Sequence, residues 1–203
     1  MFVKDQLLKY DPSPHSPHNI IPALIKEHST VLDVGCNTGF LGKLLNKKRV
    51  KIDGIDINEE ALAAAKAYYR NTYIRDLYRE KLNLGKNKYD YIVFADILEH
   101  LPRPDIIIND AKKYLQKDGR IIVSLPNIAR FEIRLQLLLG SFDYQPGIIG
   151  PDHLRFFTKK SAIEMIENCG FEVKKIIPTG LGHKIKILST LTAFQFIYVC
   201  QKK

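Results

Sequence analysis

Asp33, Gly35, Gly39 and Asp56 have the spacing of a site for a nucleoside. Residues 31–42 read VLDVGCNTGFLG and residues 54–58 read GIDIN. Gly35 and Gly39 lack a Cβ, so a ligand can lie directly on the backbone there. Asp56 follows the first turn by about 20 residues, where a second parallel strand should end and a carboxylate can accept from both hydroxyls of a ribose. A pyrophosphate is a poor fit, because the glycines fall at 35, 39 and 42 and the middle glycine of GxGxxG is missing. Asp33 would also repel a pyrophosphate, whereas it suits an ammonium or sulfonium. A Tyr-x-x-x-Lys pair occurs only as Tyr198 and Lys202, in an expected strand at the extreme C-terminus. These residues argue for a nucleoside-containing cofactor and against a nicotinamide.

A second set of chemistry-bearing residues follows an expected fourth strand. Ala95, Asp96 and Ile97 end that strand, where open parallel sheets place their ligands. Glu99 and His100 come next, and Asp152, His153, Arg155 and Phe156 lie in a long later loop. A histidine titrates near neutrality, so His100 or His153 can take a proton from a hydroxyl nucleophile. Arg155 can hold a carboxylate or phosphate in two-pronged fashion. His15 and His18 form HxxH in a Pro/Ser-rich stretch rather than a regular helix, and there they suit closure over the cofactor. Cys36 reads as a small turn residue rather than a nucleophile.

These residues need a scaffold of alternating strands and helices. Apolar runs predict strands at about 31–35, 51–56, 72–75, 90–95 and 119–124, and helical spacing predicts helices at about 19–28, 38–48, 59–70 and 104–116. Pro104 starts a helix well, and Gly119 is placed to follow its end. The alternation implies an α/β sheet, doubly wound and mostly parallel, with helices on both faces. A helix at about 128–139 leads into a long loop without an element of its own, of the length often used as a lid. Thr158 then caps a helix that Gly170 stops, and 171–178 and 193–203 read as the last strands.

With 203 residues, one domain is expected: a cap at 1–30, a cofactor-binding core at 31–127, a lid or substrate loop at 128–158, and a C-terminal helix and edge hairpin at 159–203. No apolar run approaches the ~18–20 residues of a membrane span. Three scattered cysteines without a Cys-x-x-Cys fit the reducing cytoplasm. The formal charge of +9 suits solubility or an anionic acceptor, and without an aromatic-interleaved basic motif nucleic acid is not the expected partner.

Taken in order, the motifs resemble those of the class I S-adenosylmethionine-dependent methyltransferases. VLDVGCNTG matches their first motif and Asp56 their second-strand acid. YIRD at 73–76, YDYIVFADILEHLPRP at 89–104 and LQKDGRIIVSLPN at 115–127 match their third, fourth and fifth strands. The resemblance implies strand order 3-2-1-4-5-7-6 with strand 7 antiparallel, and S-adenosylmethionine as cofactor. It places Asp33, Gly35, Cys36 and Gly39 around the methionine portion, Asp56 on the ribose, and Ile57 on the adenine. Asp76 and Leu77 would approach the adenine amino group, and Ala95, Asp96 and Ile97 complete the cofactor set.

HLRFFT at 153–158 is similar to a segment of small methyltransferases often encoded with sugar- and cell-surface-modifying enzymes. It makes Asp152, Arg155 and Phe156 candidates for substrate binding. In ubiquinone-pathway O-methyltransferases an acid-x-x-Glu-His run like Asp96 to His100 is implicated in metal binding. Glu-His is also widespread in methyltransferases with no metal requirement, and no metal is expected here. The absence of an Asn-Pro-Pro-Tyr signature after strand four favours O-methylation of a small molecule. A cofactor-binding accessory protein and an RNA methyltransferase are the alternatives.

Overall fold

The computed structural model describes residues 11–145 and 147–203, so the first ten residues of the expected cap lie outside the described residues. Seven strands form one sheet in the order β3-β2-β1-β4-β5-β7-β6. They are β1 (Thr30–Val34), β2 (Lys51–Asp56), β3 (Asn71–Ile74), β4 (Tyr89–Ala95), β5 (Leu115–Pro126), β6 (Phe171–Pro178) and β7 (Gln195–Lys202). The first five pair in parallel, and β7 runs antiparallel between β5 and β6. This is the expected order and orientation.

Side-chain alternation explains the two-faced core. Leu32, Val34, Ile92 and Phe94 point to one face, while Val31, Tyr91 and Val93 point to the other. The first face packs against α4 (Pro104–Ala111) and α6 (Lys159–Asn168). The second is covered by α1 (Pro17–Leu24), α2 (Phe40–Leu45) and α3 (Glu59–Ala65). The central strands β1 and β4 therefore read as nearly continuous apolar runs, as the doubly covered part of a parallel sheet requires.

Several helices are shorter than their periodicity implies. The expected 38–48 helix changes at Asn46 into a single 3-10 turn, and the 59–70 helix ends at Ala65 so that Tyr69 can fold back under the sheet. The first helix begins earlier, at Pro17, because a proline is well placed at the first helical position, and it ends at Leu24. Gly119 is not a helix stop. Strand β5 already starts at Leu115, opposite Tyr89, and the ladder slips between Tyr89 and Tyr91. The expected 128–139 helix spans Phe131–Leu138 (α5). Thr158 caps α6 in a reciprocal capping box with Ser161. The segment joining β6 to β7, left unassigned by the sequence pattern, holds two one-turn helices, α7 (Leu181–Lys184) and α8 (Ser189–Thr192).

Candidate functional site

The glycine loop between β1 and α2 forms the first wall. Gly35 and Gly39 have φ of +79° and +85°, in the left-handed region that costs a glycine little. The amides of Gly35 and Cys36 both donate to the Ile55 carbonyl, at 2.8 and 2.9 Å, and so fasten the loop to β2. The expectation that the missing Cβ atoms make room for a ligand is corrected by the packing. A Cβ on Gly35 would stand 2.9 Å from Ile97, and one on Gly39 would stand 2.9 Å from the Ala65 Cα and from the Tyr69 ring. Both glycines let the protein close on itself.

Asp56 organises the rim of this loop. One carboxylate oxygen accepts from the Asn37 amide at 2.8 Å and the other from the Asn58 amide at 2.9 Å. An ionised carboxylate has about four lone-pair sites, so each oxygen keeps acceptor capacity for a ligand hydroxyl. Beside it Ile57 is exposed, an apolar surface at a polar strand end that a planar base can cover. Asp33, by contrast, lies beneath the loop. It is buried, its carboxylate accepts from the Tyr69 hydroxyl at 2.5 Å, and burial pushes its pKa up to about 7 against the effect of that bond. Cys36 is also buried, which pushes its thiol up and leaves it unsuited to nucleophilic work. Asp76 shapes a turn, its carboxylate accepting from the Tyr78 amide at 3.0 Å, and Leu77 packs on the main core.

The end of β4 supplies the second wall. Asp96 adopts a left-handed φ of +53°, and one of its carboxylate oxygens accepts from Ser124 Oγ and from Gln195 Nε2, each at 2.9 Å. Asp96 touches solvent but has protein on most sides. That enclosure raises its pKa, opposed by the Ser124 and Gln195 bonds. His18, on α1, is close enough to feel the Asp96 charge, although its own burial outweighs that and lowers its pKa. Its ring lies 4.7 Å from Phe40, while His15 stacks 4.0 Å from His183, so the two histidines of HxxH face different neighbours. Ser124 and Gln195 were missed as site residues. Their signal was a lone polar side chain within each of two apolar runs, IIVSLP and AFQFIYV.

The third wall joins two distant segments. The Glu99 carbonyl accepts from the Leu154 and Arg155 amides at 2.8 and 3.0 Å, stitching the turn after β4 to the long loop. Arg155 donates from Nε and Nη2 to the Pro102 carbonyl, at 3.2 and 2.5 Å, so the expected carboxylate-binding fork serves to hold the loop. Phe156 likewise packs in a satellite core with Ile133, Ile148 and Ile149. Asp152 sits 3.4 Å from His100 Nδ1, which also meets the Asp152 carbonyl at 3.1 Å. His153 Nδ1 lies 3.1 Å from the Ile148 carbonyl. A carbonyl only accepts, so each Nδ1 carries a proton, and in the neutral rings the free lone pair falls on Nε2. The rings of His100 and His153 meet edge-on at 4.7 Å.

Between them lies Glu99, about 1% exposed, with neither carboxylate oxygen bonded among the described residues. Burial and the Asp96 charge push its pKa well up. One ligand atom each from Glu99, His100 and His153 falls within 4.8 Å of the others, a spread that a divalent ion can bridge. That grouping includes the loop histidine and leaves out Asp96, unlike the run read from sequence. It also supplies a donor set where the sequence reading expected none.

Comparison with known proteins bears on the family and the fold. The profile of a methyltransferase domain matches residues 9–176. A ubiquinone biosynthesis O-methyltransferase of Hydrogenovibrio crunogenus is 31% identical over 165 residues, covering 74% of this chain and 68% of that protein. One of Actinobacillus pleuropneumoniae serotype 7 is 34% identical over 106 residues, covering 48% of this chain and 45% of that protein. The chain thus spans about half the length of some curated relatives and two thirds of others. In three dimensions it is similar to a possible histamine N-methyltransferase of Thermotoga maritima, with TM-score 0.68 and 18% identity over 92% of this chain and 87% of that one. It is also similar to the magnesium protoporphyrin IX methyltransferase of Synechocystis, solved with bound SAH, with TM-score 0.65 and 19% identity over 92% and 82% of the chains. At such identities these likenesses carry the fold.

Proposed function

Because this chain belongs to the methyltransferase domain family, we propose that it moves a methyl group from S-adenosylmethionine to a hydroxyl or carboxyl oxygen of a small acceptor. The observation that carries the reading is Asp56, oriented by two loop amides at the carboxyl end of β2 with the exposed Ile57 beside it. That pair suits the ribose and base of the cofactor, so the residues present fit it. S-adenosylmethionine supplies a methyl group that is already strongly electrophilic, which leaves the protein to align the nucleophile and exclude water.

The Nε2 atoms of His153 and His100 are the bases that can take a proton from an acceptor hydroxyl. Each imidazole is held by a carbonyl at its other nitrogen, which keeps the lone pair on Nε2. Burial and the neighbouring His100 lower the His153 pKa, keeping that ring neutral and basic at physiological pH. The Glu99 carbonyl and Arg155 fasten the loop over this wall, which limits the access of water. A cofactor-binding accessory protein would have no use for such a cluster of proton-handling groups, which favours the enzyme. The relatives named for ubiquinone biosynthesis support a small-molecule acceptor over RNA. An anionic acceptor rests on the charge of +9 alone, now that Arg155 is engaged.

Calorimetric titration with S-adenosylmethionine tests the reading. Asp56→Ala should weaken binding by about 1–3 kcal/mol, the cost of unpairing buried polar groups. The wild type should then pass a labelled methyl group to hydroxylated acceptors in preference to amines. Failure to bind S-adenosylmethionine, or preference for a nicotinamide cofactor, would overturn the proposal.

A further inference from the structure

Two elements at the carboxyl end of the sheet present apolar side chains to solvent. Helix α5 and the turn after it expose Phe131, Leu135, Leu138 and Leu139, the last two by 82% and 74%. The connection between β6 and β7 exposes Leu181, Ile185, Ile187 and Leu188, with Ile187 at 94%. The two elements are joined at their bases. Asn127 Nδ2 donates to the carbonyls of Thr190 and Ala193, and the Arg130 guanidinium stands 5.5 Å above the Phe194 ring.

Between them is an open cavity of about 560 Å³ with Ala129 and Ile163 on its walls and Arg134, Lys159 and Lys160 among its lining residues. Residues 179–194 contain Lys184 and Lys186 and no acidic residue. Glu164 is the one acid lining the cavity, 3.8 Å from Lys160. Most exposed leucines and isoleucines need no explanation, but apolar residues grouped at two projecting tips with cations between them do.

We propose that these two tips and the cavity between them, with Arg134, Lys159 and Lys160 among its lining residues, form a docking surface for an anionic lipid bilayer. Leu138, Leu139 and Ile187, exposed by 82%, 74% and 94%, project from the protein. A bilayer interface admits projecting apolar groups without a matching pocket, while cations beside them meet anionic headgroups. A second copy of this chain fits less well, because it would bring Lys159, Lys160, Arg134 and Lys184 against cations of its own kind. Among the described residues no helix is long and apolar enough to cross a membrane, so the contact is peripheral. The inference does not depend on the methyl-transfer reading.

Co-sedimentation of the full chain with vesicles tests it. Vesicles of equal parts phosphatidylglycerol and phosphatidylcholine should bind at least about tenfold more protein than pure phosphatidylcholine, and added salt should weaken that binding. The triple variant Leu138→Asp, Leu139→Asp, Ile187→Asp should lose about tenfold or more of it. Its thermal unfolding and its calorimetric titration with S-adenosylmethionine should be unchanged, since the three side chains are exposed. Lys159→Gln with Lys160→Gln should weaken binding to the anionic vesicles alone. Absence of vesicle binding, equal binding to both vesicle types, or an undiminished triple variant would overturn the proposal. So would self-association that the triple variant abolishes without any vesicle binding.

Discussion

At the scale of single residues the site is organised by which atoms are already taken. Arg155 and Asp33 read from sequence as groups for a ligand, yet each spends its side chain on the protein, on the Pro102 carbonyl and the Tyr69 hydroxyl. His153 and His100 keep Nε2 free because a carbonyl holds Nδ1. As the proposed base, His153 should set a pH dependence. Its pKa lies below the ordinary 6.5, through burial first and the His100 charge second, so methyl transfer to a hydroxyl should rise with pH only below that value and be flat above it. His153→Ala should cut kcat by about 10²–10⁴ with cofactor binding retained, as expected for loss of a positioned base. A pH–rate profile of wild type and variant, with calorimetry for the cofactor, checks both. Gly150 leaves room for this ring, since a Cβ there would stand 3.0 Å from His153 Nε2.

Among the elements, α6 shows how local rules secure a distant site. Thr158 accepts from the Ser161 amide at 3.1 Å, and Ser161 Oγ in turn accepts from the Thr158 amide at 2.9 Å. Thr158→Ala should cost about 1 kcal/mol of stability by urea unfolding and leave cofactor binding intact. The order of the seven strands came from the family resemblance, whereas that cap, most of the individual strands, the glycine turn and the strand-end place of Asp56 were legible in the residues themselves. Each of the latter is written in neighbouring residues, as an apolar run, a turn glycine or a strand-end acid. Helix ends were legible only coarsely, because an amphipathic pattern continues through a 3-10 turn such as Asn46–Lys48. The Ser124–Gln195–Asp96 contact and the stitch from Glu99 to Arg155 were not legible. They join residues 28 to 99 positions apart, and such pairings follow from strand order and loop path rather than from local spacing.

For the whole molecule, the price of a polar site built under a closed sheet is a set of enclosed acids. Asp33 titrates near 7 and Glu99 well above its usual range, both through burial first. A carboxyl whose pKa is raised in the folded state binds more protons there than in the unfolded chain. Its stabilising effect is complete below the unfolded value of 3.8 for Asp33 and is lost as pH rises toward about 7. Asp33→Asn should therefore flatten the decline of stability over that window and leave the protein more stable at pH 8, by about 1–4 kcal/mol. Urea midpoints at pH 5 and pH 8 for the two proteins measure it, and a variant that declines as steeply as wild type would contradict the argument.

The two amides that Leu154 and Arg155 lend to the Glu99 carbonyl also bear on how new acceptor preferences can be built into this scaffold. Residues 98–102 and 150–157 form one graft, not two. Transplanting either segment alone from another enzyme leaves the carbonyls of Glu99 and Pro102, or the donors that meet them, facing strangers. Exchanging both as a cassette preserves the seam, and diversity within it can be recombined without disturbing Asp56 and the glycine loop on the other side of the sheet's mouth.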